Sequence, residues 1–310
     1  MRRHFCHGLL VLLCMMPACT PADGDRVVGI EGAVHRYVEV GSTRWHYLQA
    51  GSGEPLVLLH GMPESAWAWR HQIPALAVEY RVIVPDLKGF GLSGKPEGDY
   101  SFAAVAGEVA QLLSTIGVER FRLVGHDWGA LIGARLGTDH PQRVVGYVHV
   151  SAPLRQLDLS RWVDYRDFYF DPDQVAGFLR APEVFVSRLF ESSLDQGLSA
   201  LAPEVLERHV KEFGRRGVAR AVGRYFRDMD LAEDWSLGPS MAVDWTRAQF
   251  PVRIIIGDHD YRVPSELFLD AERLIPGFER LVIVDDCGHY PAEEHPDQFT
   301  KLLQEFLAQL

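Results

Sequence analysis

Six short apolar runs constrain this chain more than any other feature: PLVLLHG (55–61), YRVIVPD (80–86), FRLVGHD (121–127), VVGYVHVS (144–151), VRIIIGD (252–258) and RLVIVDD (280–286). They are rich in β-branched residues and bounded by Gly, Pro or Asp. Near-continuous apolar runs of this length read as strands buried on both faces of a parallel sheet. Between them, 102–117 and 130–141 carry helical spacing, ending at Gly117 and before Pro141. The final stretch, 296–310, places Phe299, Leu302, Leu303, Phe306 and Leu307 on one helical stripe. HRYVEVG and RWHYLQAG, near the start, look like an antiparallel pair. The expected class is α/β, with a mostly parallel sheet and helices on both faces.

The alternation stops between about Leu154 and Gln249, where helical spacing is broken by Pro172, Pro182, Pro203 and Pro239. This reads as a helical cap inserted between two strands of one sheet. The expected organisation is a leader (1–18), a first core part (19–153), the cap (154–249) and a second core part (250–310).

The leader has its own logic. Arg2, Arg3 and His4 precede an apolar stretch, Gly8 to Met16, too short to span a bilayer as a helix. This is the layout of an export signal. Met16-Pro17-Ala18-Cys19 has the form of a bacterial lipobox, with Cys19 as the lipidated first mature residue; cleavage after Ala22 is the plainer alternative. The expected location is outside the cytoplasm, periplasmic or membrane-anchored through a lipidated N-terminus. Three of the four cysteines, Cys6, Cys14 and Cys19, lie in or beside the leader. Cys287 is then alone, so the mature body has no internal disulfide. Its acidic neighbours disfavour a reactive thiolate, and it reads as a packed strand-end residue.

With 47% hydrophobic and 24% charged residues the chain has ordinary globular composition. Its formal net charge of -11, without a long basic run, disfavours a nucleic-acid partner. No phosphate loop or dinucleotide fingerprint is present, so no cofactor is expected. The carboxylate-His cluster EEH (293–295) lacks zinc-ligand spacing.

The chemistry gathers at strand ends. Gly125-His126-Asp127-Trp128-Gly129 has the spacing of a nucleophile elbow, small-x-nucleophile-x-small, with aspartate where serine is usual. Asp127 at a helix start could be a simple N-cap. Three further segments argue against that. LLHGMP (58–63) follows an early strand, where hydrolases supply oxyanion N–H groups; the expected donors are the backbone N–H groups of Met62 and Trp128. GDHDYRVP (257–264) offers Asp260, with Asp258 as competitor, and DDCGHYP (285–291) offers His289. Nucleophile, acid and histidine follow the hydrolase order. His60 and His126 read as shaping the site rather than moving protons.

These segments together resemble the α/β-hydrolase superfamily, in its epoxide hydrolase and haloalkane dehalogenase branch. HGMP is similar to the HGxP motif, GHDWGA to the aspartate elbow, and DLKGFGLSGKP (86–96) to the branch's Gly-rich turn. The resemblance covers nearly the whole mature chain. It implies the α/β-hydrolase fold with an inserted helical cap, and spacing before Pro264 that favours Asp260 as the triad acid. It also implies two cap tyrosines that donate to an epoxide oxygen. DYRDFYFDP (164–172) places Tyr165 on the first donor position, with Tyr169 nearby. RYFRDMD (224–230) puts Phe226 where the second is expected and Tyr225 one residue earlier, about 100° around a helix. Tyr225 is therefore a candidate donor whose direction is open.

An aspartate nucleophile suits attack on an sp³ carbon, forming an alkyl ester that His289 and water then hydrolyse. The expected activity is epoxide opening to a diol, on a small apolar organic substrate with water as co-substrate. One alternative is a haloalkane or haloacetate dehalogenase using the same triad. Another is a non-catalytic hydrolase fold acting as a ligand receptor.

Overall fold

The computed structural model describes residues 25–155, 177, 179–229 and 241–310. An eight-stranded sheet organises it: β1 (Val34–Val40), β2 (Thr43–Ala50), β3 (Glu54–Leu59), β4 (Tyr80–Pro85), β5 (Phe121–His126), β6 (Val144–Val150), β7 (Val252–Gly257) and β8 (Phe278–Val284), in the order β1-β2-β4-β3-β5-β6-β7-β8. β1 pairs antiparallel with β2, and β2 with β4; every other pairing is parallel. The α/β class expected from the apolar runs is the observed one.

The reason the runs are continuous is visible in their two faces. Val57, Leu59, Ile83 and Leu123 point into one core, while Leu56, Leu58, Val82, Val84 and Val124 point into the other. Alternate residues face opposite sides of a strand, so a sheet covered on both sides needs apolar residues at every position. Helices α1 (Phe102–Thr115) and α2 (Trp128–Asp139) cover the first face. The last helix, Pro296–Leu307, covers the second with Phe299, Leu303, Phe306 and Leu307. β8 departs from the expectation of a strand buried on both faces. It is the edge strand, paired only with β7, and Ile283 is 45% exposed.

Between β6 and β7 the described residues form helices α3 (Pro182–Glu191), α4 (Pro203–Phe213) and α5 (Val218–Asp228). Pro182 and Pro203 each stand at the first helical position, where the missing N–H costs nothing. They begin helices here rather than breaking them. Helix α6 is the C-terminal Pro296–Leu307.

Register places the site. Leu59 of β3 pairs with Gly125 of β5, so the chain leaves both strands at one level. The segment 60–64 and the Asp127 turn therefore emerge side by side. β3 also sits where the strand order reverses, with β4 on one side and β5 on the other. Such a switch point opens a crevice at the carboxyl ends of the strands.

Candidate active site

Asp127 links β5 to α2 at φ 51° and ψ -121°. A non-glycine residue in that region costs about 1–3 kcal/mol and persists where its surroundings over-determine it. Here they do. A Cβ on Gly125 would meet Gly129 O at 2.5 Å, and one on Gly129 would meet His60 O and Leu59 O at 2.5 Å. The two small residues let strand, turn and helix pack within that distance. The turn sets the carboxylate at the start of α2, where the first N–H groups have no intrahelical acceptor.

The three residues expected to act together are brought together. Met62 N–H donates to Asp127 Oδ1 at 2.9 Å. Asp127 Oδ2 lies 3.3 Å from His289 Nε2, and His289 Nδ1 lies 2.8 Å from Asp260 Oδ2. Asp260 Oδ1 accepts from Arg262 N and Val263 N, each at 3.0 Å. The side chains of Asp127, His289 and Asp260 are 21%, 3% and 0% exposed, so Asp127 is the one a substrate can reach. Asp258 is excluded as the acid by its direction: its Oδ1 accepts from Cys287 N instead. Cys287 is fully buried, and burial with Glu294 and Asp260 nearby pushes its thiol far up, out of nucleophile range.

The electrostatics follow from these contacts. Burial alone would push His289 down, but Asp260 and the bond to Asp127 outweigh it and raise the imidazole to about 9. Burial would raise Asp127 and Asp260; their bonds and attraction to His289 leave both below the usual carboxylate range. The resting state is thus an Asp127 carboxylate beside a protonated His289. Esterification of Asp127 would remove its charge, and the imidazole would become easier to deprotonate.

Glu64 was not among the residues singled out from sequence. It is buried, accepts from Gly61 N at 3.1 Å, and lies 3.0 Å from His126 Nδ1. His126 Nε2 lies 2.8 Å from His289 O. A carbonyl and a carboxylate both accept, so both ring nitrogens of His126 carry protons. Burial works against that charge and Glu64 overrides it, raising the His126 pKa. With both ring nitrogens turned to acceptors, His126 offers no basic lone pair to the site. His60 is neutral, since Nδ1 donates to Gly61 O and Nε2 accepts from Leu87 N. The only local signal for Glu64 was a charged residue inside an otherwise apolar, proline-containing loop.

Trp128 opens α2, its indole walled by Phe90, Phe102, Tyr225 and Phe226. Tyr225 is corrected from a donor candidate to a packing residue. It is fully buried, and its hydroxyl donates to Lys88 O at 2.9 Å. The one-residue offset turns Phe226 edge-on to Trp128 and sends the Tyr225 hydroxyl to the β4–α1 segment. Tyr225→Phe is expected to cost roughly 1–3 kcal/mol through the stranded carbonyl, with ester formation unchanged. Thermal unfolding and single-turnover kinetics check both halves. Tyr165, Tyr169 and Cys19 lie outside the described residues.

The fold and this constellation define a hydrolase site on a strand–turn–helix elbow. A family model described as alpha/beta hydrolase fold matches residues 54–296, and the chain belongs to that family. Within it the chain is an enzyme of the epoxide hydrolase and dehalogenase branch. Epoxide hydrolase 3 of Siraitia grosvenorii is 30% identical over 88% of this chain and 98% of its own length. Fluoroacetate dehalogenase of a Burkholderia species is 34% identical over 59% of this chain and 65% of its own. Among solved structures, an epoxide hydrolase from Vigna radiata superimposes with a TM-score of 0.75 at 28% identity, covering 90% of this chain and 99% of that one.

Proposed function

We propose that this enzyme opens epoxides to diols through an alkyl ester on Asp127, and that the cell exports it. One observation carries the chemistry: the two oxygens of Asp127 have different partners. Oδ2, beside His289, is the attacking oxygen. Oδ1, held by Met62 N–H, becomes the ester carbonyl and then the oxyanion.

In the first step Oδ2 bonds to a ring carbon and the C–O bond of the epoxide breaks. The alkoxide takes a proton, with Tyr165 proposed as donor; the phenolate recovers one as His289, no longer facing a charged Asp127, gives up its own and becomes the free base. In the second step His289 removes a proton from water, steadied by Asp260, and the water oxygen attacks Cγ of Asp127. The N–H groups of Met62 and Trp128 hold the charge that develops on Oδ1. The Cγ–Oδ2 bond breaks, the departing oxygen takes the proton held on His289, and the acid formed on Asp127 returns one to the imidazole; the diol leaves with an enzyme oxygen and Asp127 keeps the water's. The length-spanning likeness to epoxide hydrolases supports this reading.

A dehalogenase using the same triad is the second reading, favoured by the likeness to a fluoroacetate dehalogenase. Incubation with styrene oxide and, separately, a bromoalkane separates the two. Diol without free bromide is the expected result; bromide alone would replace epoxide hydrolysis with dehalogenation. Neither product would revive a ligand-receptor role, against which the assembled triad weighs.

Export rests on the basic start and short apolar stretch, and lipidation on Cys19. A mature N-terminus carrying acyl mass on Cys19 supports anchoring. An unmodified terminus at Asp23 would leave simple secretion.

A further inference from the structure

The segment that follows α3 is built into the catalytic loops. A Cβ on Gly288 would meet Ser193 O at 2.3 Å and Asp195 N at 2.7 Å, so the backbone of 193–195 lies directly on the loop that carries His289. His289 N–H donates to Ser193 O at 2.8 Å. The Ser193 hydroxyl donates to Leu189 O in the last turn of α3 and accepts from Arg262 Nε at 2.5 Å. Arg262 Nη2 donates to Ser192 Oγ at 2.8 Å. Arg262 is only 8% exposed, and its own backbone N–H holds Asp260 Oδ1.

These bonds form a closed path. It runs from Asp260 through the backbone and side chain of Arg262 to Ser193, from the Ser193 carbonyl to the backbone of His289, and from the imidazole back to Asp260. We propose that Ser193 and Arg262 are positioning residues for His289, and that the inserted segment thereby sets the geometry of the base. The proposal rests on the two-step reading above for its kinetic consequence, though not for its structural one.

The consequence is selective. Asp127 needs only its ionised carboxylate to attack, whereas ester hydrolysis needs the His289 lone pair aimed at a water. A displacement near 1 Å can cost on the order of a hundredfold in such a step. Loosening the ring should therefore slow hydrolysis and spare ester formation. A staple that only joined the insert to the core would instead lower the fraction of folded enzyme, reducing the burst amplitude with both rates intact.

The test uses the whole enzyme with styrene oxide, following ester formation and decay by rapid quench and intact mass. Arg262→Ala should slow ester hydrolysis at least about tenfold, with ester formation within about twofold of wild type. Arg262→Lys should recover part of the loss, since an ammonium can still reach one serine oxygen. Ser193→Ala keeps the carbonyl that holds His289 but cuts the link to Arg262. It should act in the same direction, and the double variant should be no slower than Arg262→Ala alone, because both cut one ring. Proton NMR of the resting enzyme supplies a readout independent of chemistry. The His289 Nδ1–H resonance, shifted downfield by its bond to Asp260, should broaden in Arg262→Ala and in Ser193→Ala.

Unchanged hydrolysis with an unchanged resonance would overturn the proposal, as would a smaller burst at unchanged rates. Failure of the ester reading looks different: His289→Gln would then form no adduct, and the resonance alone would decide the ring.

Discussion

His289→Gln should consume one equivalent of epoxide per active site and then stall. Asp127 is already ionised at neutral pH, and its bond to Met62 N–H survives the substitution. Attack can proceed; what is lost is the group that deprotonates water. Removal of a general base typically costs about 10²–10⁴-fold, so turnover should fall by that order while the first equivalent still reacts. Intact-protein mass should rise by one substrate molecule, and peptide mapping should place the adduct on Asp127. Asp127→Asn should show no adduct. In wild type, a single turnover in isotopically heavy water should label Asp127, and the first diol released should be unlabelled. Label appearing directly in that diol would mean that water attacks the epoxide itself and that Asp127 is not the nucleophile.

The second large effect concerns stability. Arg70 donates from both terminal nitrogens to Glu293, each at 2.6 Å, and His209 Nε2 lies 3.0 Å from Glu293 Oε1. Arg70 follows the loop that carries Met62, Glu293 follows His289, and His209 stands on α4 of the insert. One buried carboxylate thus ties the oxyanion loop, the base loop and the insert together. The Glu293 side chain is 0% exposed; burial would raise its pKa, but the bonds from Arg70 and His209 lower it to about 2. A buried ion pair adds little over an apolar one of the same shape, but removing one partner strands a charge at about 3–5 kcal/mol.

Arg70→Met should cost that much, or roughly 10 °C in melting temperature at neutral pH. The pH dependence identifies the cause. In wild type the Glu293 carboxyl has a lower pKa folded than unfolded. Its stabilising contribution is full above the ordinary carboxylate pKa and is lost as pH falls through about 2. Without Arg70 the folded pKa moves upward, and protonation removes the stranded charge. The gap between variant and wild type should therefore narrow as pH falls below about 5. A gap independent of pH would place the loss in the packing of Arg70 over Trp67 instead.

The strands were legible because burial on two faces leaves a local trace. Leu56 to Leu59 must all be apolar when alternate residues enter two different cores. β8 was misjudged because an edge strand can carry the same apolar residues with one side open, and only strand order tells which strand is last. The elbow was legible for a similar reason: the turn at Asp127 has room for nothing larger than glycine at 125 and 129.

The α/β class, helical spacing in described parts of the stretch after β6, and the placing of Asp127, Asp260 and His289 at strand ends in hydrolase order were legible in the chain. Each of these is written in local pattern, because strand burial and tight turns act on adjacent residues. Packing turns Asp260 to His289, as the spacing before Pro264 implied, and Asp258 to Cys287 N; the packed structure by contrast was needed to show that the Tyr225 hydroxyl turns to Lys88. It alone brought Glu64 to His126, and Arg262 and Ser193 into the path around His289. Those are choices of direction among neighbours far apart in the chain. A hydrogen bond is satisfied across space by whichever group the packed backbone presents, and adjacent residues carry no record of it.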